Sequence, residues 1–167
     1  MRSMNISDIK DFMSHLLLRD TFDHFLLLEG TVTTFNTFFV DGHLNKDYYA
    51  TMETPPESLM EDSLSQWSSL RPFFLSLIKG KHAPLGFKII FQLPQSHMQT
   101  WLSKTTLSVS ADHIKALFLN LKYDGKNLTC TTGISLGLFT LDKSPEYAWD
   151  ENIAMFLTQK GIPFEPE

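Results

Sequence analysis

The residue types able to carry chemistry in this chain are few, and their spacing narrows them further. In the run TFFVDGHLN, Asp41 and His43 stand two positions apart. On an extended strand that spacing points both side chains the same way, so a carboxylate and an imidazole could share a metal ion or a proton, with Asp47 or Asp23 as a third ligand. Asp-Gly is also ordinary turn chemistry, and Asn45-Lys46-Asp47-Tyr48 reads as a short capped helix. The expectation is a strand exit first and a metal or acid/base site second.

A second group is cationic. Lys79, Lys81 and His82 flank Gly80, and with Arg71 one or two helical turns back they could form a small pocket for a phosphate or carboxylate. Cations in the last turn of a helix also complement its dipole without any ligand, and that is the stronger expectation. The string Gly133-Ile134-Ser135-Leu136-Gly137 matches the nucleophile elbow of α/β-hydrolases, a motif that requires a helix after the serine and a histidine later in the chain. Here the strand-like LGLFTLD follows and the last histidine is His113, so the expectation is a turn between strands. The six histidines never fall as H-x-x-x-H or H-E-x-x-H, and neither a Walker A loop nor G-x-G-x-x-G is present. A single cysteine, Cys130, excludes an internal disulfide and a cysteine-based zinc cage. The candidate ligand-binding residues are therefore Asp41, His43, Arg71, Lys79 and Lys81, with no cofactor implied and no catalytic set.

At 167 residues, 43% hydrophobic and 20% charged, with 14 phenylalanines, the chain has the means to bury a core without covalent help. One domain spanning 1–167 is the expectation. The formal net charge of −5 opposes nonspecific attraction to phosphate backbones, so nucleic acid is disfavoured unless the lysines cluster in space. The opening MRSMNISDIKDF lacks the apolar stretch of a secretory signal, and no segment approaches the roughly 20 apolar residues that span a bilayer. The expected location is the cytoplasm, with no membrane partner.

The elements that must position these residues follow from periodicity. Ile9, Phe12, Met13, Leu16 and Leu17 mark an amphipathic helix with Ser7 as its cap and Asp8 in its first turn. FDHFLLLEG and TVTTFNTFFV read as two strands broken at Glu29-Gly30, and the adjacent Phe38 and Phe39 must point to opposite faces. The acidic stretch 51–63 with Pro55-Pro56 reads as a surface connection able to start a helix at Thr54 or Ser58. Trp67 to Ile78 keeps helical spacing, with Pro72 starting a second helix or kinking the first, and Gly80 ending the run. GFKIIFQL is a buried strand, followed by a brief helix from near Pro94. In IKALFLNLKYDGKNLTCTT a two-residue turn at Asp124-Gly125 would pair Leu121 with Leu128, Leu119 with Cys130 and Leu117 with Thr132. Ser144-Pro145 opens a last helix that Gly161 closes, with Ile162 packing on Leu157 in a Schellman arrangement.

The order strand, helix, strand, strand fits 1–43 and again 86–133. Two β-α-β-β halves sharing one sheet would resemble DNA sliding-clamp subunits in element order, which says nothing of function. The segments TFDHFLL, TFNTFFVDGHLN, the tract from Trp67 to Lys81 ending LIKGK, LNLKYDGKNL, TTG, FTLDKSPE and Trp149-Asp150 resemble an uncharacterised family of small bacterial proteins. That resemblance implies a bacterial cytoplasmic protein with one intact domain and carries over no site residue. Together these readings predict an α+β protein with mainly antiparallel sheet and helices packed on it. The expected role is noncatalytic binding or protein interaction, including self-association through an aromatic or sheet-edge surface. The alternatives are a small metal- or anion-dependent enzyme built on Asp41 and His43 with Arg71, Lys79 and Lys81, and a clamp-like nucleic-acid accessory protein.

Overall fold

The computed structural model describes residues 1–107 and 111–167. In chain order the elements are β1 (Ser3–Ile6), α1 (Ile9–Leu17), β2 (Leu26–Thr33), β3 (Thr37–Asp41), α2 (Lys46–Tyr49), α3 (Glu57–Glu61), β4 (Ser65–Gln66), α4 (Trp67–Ile78), β5 (Gly86–Gln92), α5 (Gln95–Ser103), β6 (Ile114–Tyr123), β7 (Leu128–Leu136), α6 (Ser144–Gln159) and β8 (Phe164–Pro166). The described strands form one antiparallel sheet in the order β3-β2-β5-β6-β7-β1-β8, with β4 added to β2. The fold is α+β, because the strands pair antiparallel in one sheet and the helices pack on it.

One face of the sheet carries the core. Phe87, Ile89 and Phe91 of β5 alternate with Lys88 and Ile90, and Leu117, Leu119 and Leu121 of β6 do the same. These inward residues join Phe12 and Leu16 of α1, Trp67 and Phe74 of α4, Met98 of α5, and Trp149, Ile153 and Leu157 of α6 in one hydrophobic cluster. The two buried indoles keep their N–H groups satisfied, Trp67 donating to the Leu16 carbonyl at 3.1 Å and Trp149 to that of Phe118 at 2.9 Å. The opposite face is polar, with Lys88 registered against Lys122 and Lys122 against Thr129.

Several local expectations are corrected. The cap of α1 is Asp8, whose carboxylate accepts the Asp11 N–H at 3.0 Å, and not Ser7. β2 does not break at Glu29-Gly30 but runs through it with a register shift between Leu27 and Glu29, and the turn to β3 falls at 34–36. Gly30 stands there for packing: a Cβ would lie 2.6 Å from the Phe74 ring. α3 begins at Glu57, α4 continues through Pro72 as one helix, and LGLFTLD forms no strand because β7 already extends to Leu136. Ser135 of the G-x-S-x-G string is thus inside β7, opposite Ala116, and not in a turn.

The β6–β7 register is displaced by two residues, with Leu121 opposite Cys130, Leu119 opposite Thr132 and Leu117 opposite Ile134. The loop is four residues long because the Asp124 carboxylate accepts both the Lys126 and Asn127 N–H groups. An even displacement keeps every side chain on its face, which is why the inward set survives. The Schellman closure of α6 is present: Ile162 N–H reaches the Leu157 carbonyl, Gly161 N–H reaches that of Thr158, and Gly161 has φ +72°. β-α-β-β order occurs twice, yet β5 pairs with β6 while β1 pairs with β7 and β8 and not with β2.

Candidate functional site

The Asp41-Gly42-His43 tripeptide ends β3, and its backbone is heavily engaged. Gly42 N–H donates to the Leu28 carbonyl, the Gly42 carbonyl accepts from Ser65, and His43 bridges to Leu64. A Cβ on Gly42 would sit 1.8 Å from the Leu27 carbonyl oxygen, so the close crossing over β2 demands glycine. His43 Nδ1 lies 2.7 Å from Asp41 Oδ1, which also accepts the His43 backbone N–H at 3.0 Å. Those two hydrogen bonds, the backbone one first, hold the Asp41 carboxyl below its usual range. Both side chains are more than half exposed, 63% and 60%. Among the described residues no three His, Cys, Asp or Glu side chains are grouped closely enough to hold a metal ion. Asp23, offered as a third ligand, is instead clamped by Arg71, with Nε to Oδ1 at 3.0 Å and Nη2 to Oδ2 at 2.8 Å.

The fold therefore separates the candidates: Asp41 with His43 in solvent, Arg71 on Asp23, and Lys79 with Lys81 elsewhere. Those lysines line a cavity of about 510 Å³ between the β2–β3 turn and the α4–β5 connection. The two segments are tied together by Leu85 N–H donating to the Thr33 carbonyl at 2.9 Å, while Thr34 N–H closes the turn on Asn36. α4 stops as Lys79 takes an extended ψ of 147°, sending Lys79, Gly80, Lys81 and His82 around the rim. Phe35 and Phe38, edge-to-face at 5.6 Å, line it together with Leu77, Ile78 and Leu85, with Phe35 and Leu85 standing mostly in solvent. No carboxylate lines this cavity, and among the described residues neither lysine forms an ion pair. Thr34 Oγ1 in its wall is buried and has no hydrogen-bond partner among the described residues.

Sequence patterns gave no sign of a second cleft, about 350 Å³, enclosed by the start of β2, α3 and the first turn of α5. Its wall holds Asp23, Glu57, Glu61 and Asp62 with Ser58, His24 and His97, residues drawn from three separate segments. Ser58 is 5% exposed and its Oγ has no partner among the described residues. Asp62 Oδ1 accepts the Gln95 N–H at 3.3 Å, while its Oδ2 is buried without a partner, and burial raises its pKa. His24 is packed against Phe25 and Phe156, 6.0 Å from the His97 ring. Burial first, then the neighbouring His97, lowers its pKa to about 4, so the ring is neutral at pH 7. Only Ser58 and Asp62 carried a legible hint, being i and i+4 on one helical face.

β3 closes one end of the sheet order, and Phe39 on it is 63% exposed while Phe38 turns inward, as adjacent strand residues must. No helix among the described residues is long and apolar enough to cross a membrane. No curated protein and no solved structure shows a significant match to the chain. A family model does match, over residues 15–165. The chain thus belongs to the family of unknown function DUF5721.

Proposed function

We propose that the chain is a single-domain, noncatalytic binding module of the bacterial cytoplasm whose ligand site is the cavity between the β2–β3 turn and the α4–β5 connection. The ligand is an amphipathic anion, a carboxylate or phosphate carried on an aromatic or aliphatic body. The observation that carries this reading is the wall itself: Lys79, Lys81 and His82 with no acidic residue, beside the buried Ile78, the half-buried Phe38 and Leu77 and the exposed Phe35. Against a net charge of −5, a wall with two lysines, a histidine and no carboxylate departs from the overall balance. A largely apolar hollow with a few convergent polar groups is the usual form of a small-molecule site. The enzyme alternative has less support, since Asp41 and His43 line neither cavity and Arg71 is occupied by Asp23.

The test is calorimetric titration with decanoate, 1-naphthoate and phenyl phosphate, each beside its uncharged analogue. At least one anion should bind saturably, raise the melting temperature, and lose about tenfold in affinity for each of Lys79→Ala and Lys81→Ala. Equal binding to the double variant, or equal binding of the uncharged analogues, would sink the proposal.

A second reading, association through the β3 edge, is favoured by the position of β3 at the end of the sheet and the exposure of Phe39. Sedimentation of the wild type against Phe39→Glu tests it. A self-associating species lost in the variant supports the edge; a monomer in both removes self-association.

A further inference from the structure

We propose that the cleft between α3 and α5 is a separate ligand site for a small organic cation bearing a primary ammonium or guanidinium group. The first argument is the pair of unmade hydrogen bonds. Ser58 Oγ and Asp62 Oδ2 are both buried in that wall and neither has a partner among the described residues, although α3 could have presented apolar residues there. Buried polar atoms are costly to leave unpaired, so two in one wall mark a place where a ligand supplies the missing groups. An ionised carboxylate oxygen is an acceptor only, and the neutral His24 ring offers an acceptor when its other nitrogen carries the proton. The complement is a donor-rich group.

The second argument is charge. Four carboxylates, Asp23, Glu57, Glu61 and Asp62, line the cleft, and no lysine or arginine does. Arg71 holds Asp23 without itself entering the wall. An anion would meet uniform repulsion here. The N-terminus of α5 favours an anion, but Asp62 Oδ1 already takes its first N–H from within the chain, so a ligand meets the carboxylate and not the helix end. A metal ion is the poorer fit, because no three ligating side chains among the described residues are grouped for one. An ammonium or guanidinium spreads its donors over several acceptors without demanding that geometry. Phe25, Leu26 and Pro94 offer its carbon skeleton an apolar wall, and about 350 Å³ suits a ligand at the small end of the usual range.

The experiment is titration of the full chain with benzylamine and agmatine, read by calorimetry and by the amide resonances of Ser58, Asp62 and Ser96. Benzyl alcohol and benzoate serve as the neutral and anionic comparisons. The expected result is saturable binding of at least one amine, with those amides moving, weakened about tenfold or more by Asp62→Asn and several-fold by Ser58→Ala. Lys79→Ala and Lys81→Ala should leave it unchanged. If Asp62→Asn does not fold, the exposed Glu57→Gln and Glu61→Gln replace it, each expected to weaken binding about twofold or more. The proposal is overturned by amine affinity that ignores these substitutions, by benzyl alcohol binding as well as benzylamine, or by no saturable response to either amine at millimolar concentration.

Discussion

At its Leu26 end β2 borders a cleft walled by four carboxylates, and just beyond its Thr33 end lies a cavity with two lysines, a histidine and no carboxylate. β5 runs between the same two places in the opposite direction, from Leu85 beside the cavity to Pro94 beside the cleft. At about 3.3 Å per residue the strand pair holds the sites about 25 Å apart. α4 connects them as well. Gln66, its N-cap, lines the cleft, and Ser76, Leu77 and Ile78 of its last turn line the cavity. The partial positive charge of the helix N-terminus thus lies on the acidic side and the partial negative charge of its C-terminus beside Lys79. The dipole accounts for part of the polarity, but not for Ser58 Oγ, Asp62 Oδ2 and Thr34 Oγ1, which are buried in the same two walls without partners among the described residues. Charge segregation alone would leave exposed, solvated ions; orphaned buried groups are what a binding surface adds.

The sharpest way to separate the two ends is pH. His24 sits in the acidic cleft with a folded pKa of about 4 against 6.5 for the unfolded chain. Protonation therefore favours unfolding: the stability held by the neutral ring is complete above pH 6.5, is lost as pH falls from 6.5 toward 4, and changes no further below that. The full loss is at most about 3 kcal/mol. Asp62 acts in the opposite sense, since its raised pKa means protonation favours the folded state as pH falls through that value. Urea unfolding at pH 7 and pH 5 should show a larger loss for wild type than for His24→Gln, and amide exchange should quicken first around β2's Leu26 end. Equal losses in both proteins would show that His24 does not weaken that end.

A smaller effect is expected from Arg71→Ala. It frees a half-buried Asp23 in the cleft wall from a bidentate partner, which should cost about 1–3 kcal/mol of stability in thermal or urea melts. It should also strengthen amine binding at the cleft severalfold while leaving anion binding at the cavity unchanged. An equal change at both sites would mean that the two ends do not act independently.

Much of the fold was legible because it is written in local spacing. The alternation in GFKIIFQL, the helical stripe from Ile9 to Leu17 and the Leu157, Gly161, Ile162 closure each depend on neighbours within a few positions. The β6–β7 register was misread by two residues because side chain to backbone bonds from Asp124 lengthened the loop, yet the buried face was right because the error was even. Lys79 and Lys81 stood out as a cationic run near a helix end, but Phe35 and Phe38, which line the same cavity, come from the β2–β3 turn and β3 some forty positions earlier. Of the acidic cleft only the i, i+4 pair Ser58 and Asp62 was legible; His24 and His97 share no spacing rule with it or with each other.

The sequence by itself determined the helices from Ile9, Trp67 and Ser144, the strand GFKIIFQL, the inward face of β6 and β7 and the exclusion of disulfide, Walker and zincin chemistry, since all of these rest on residue type and short-range periodicity. Only tertiary structure decided which charges meet. Pairing β2 with β5 and laying α4 beside them gathers carboxylates at one end and lysines at the other, and it spends Arg71 on Asp23. The physical reason is that a strand period or a helix turn reaches over neighbours a few residues away, whereas a binding wall is assembled from segments whose closeness depends on how the whole core packs.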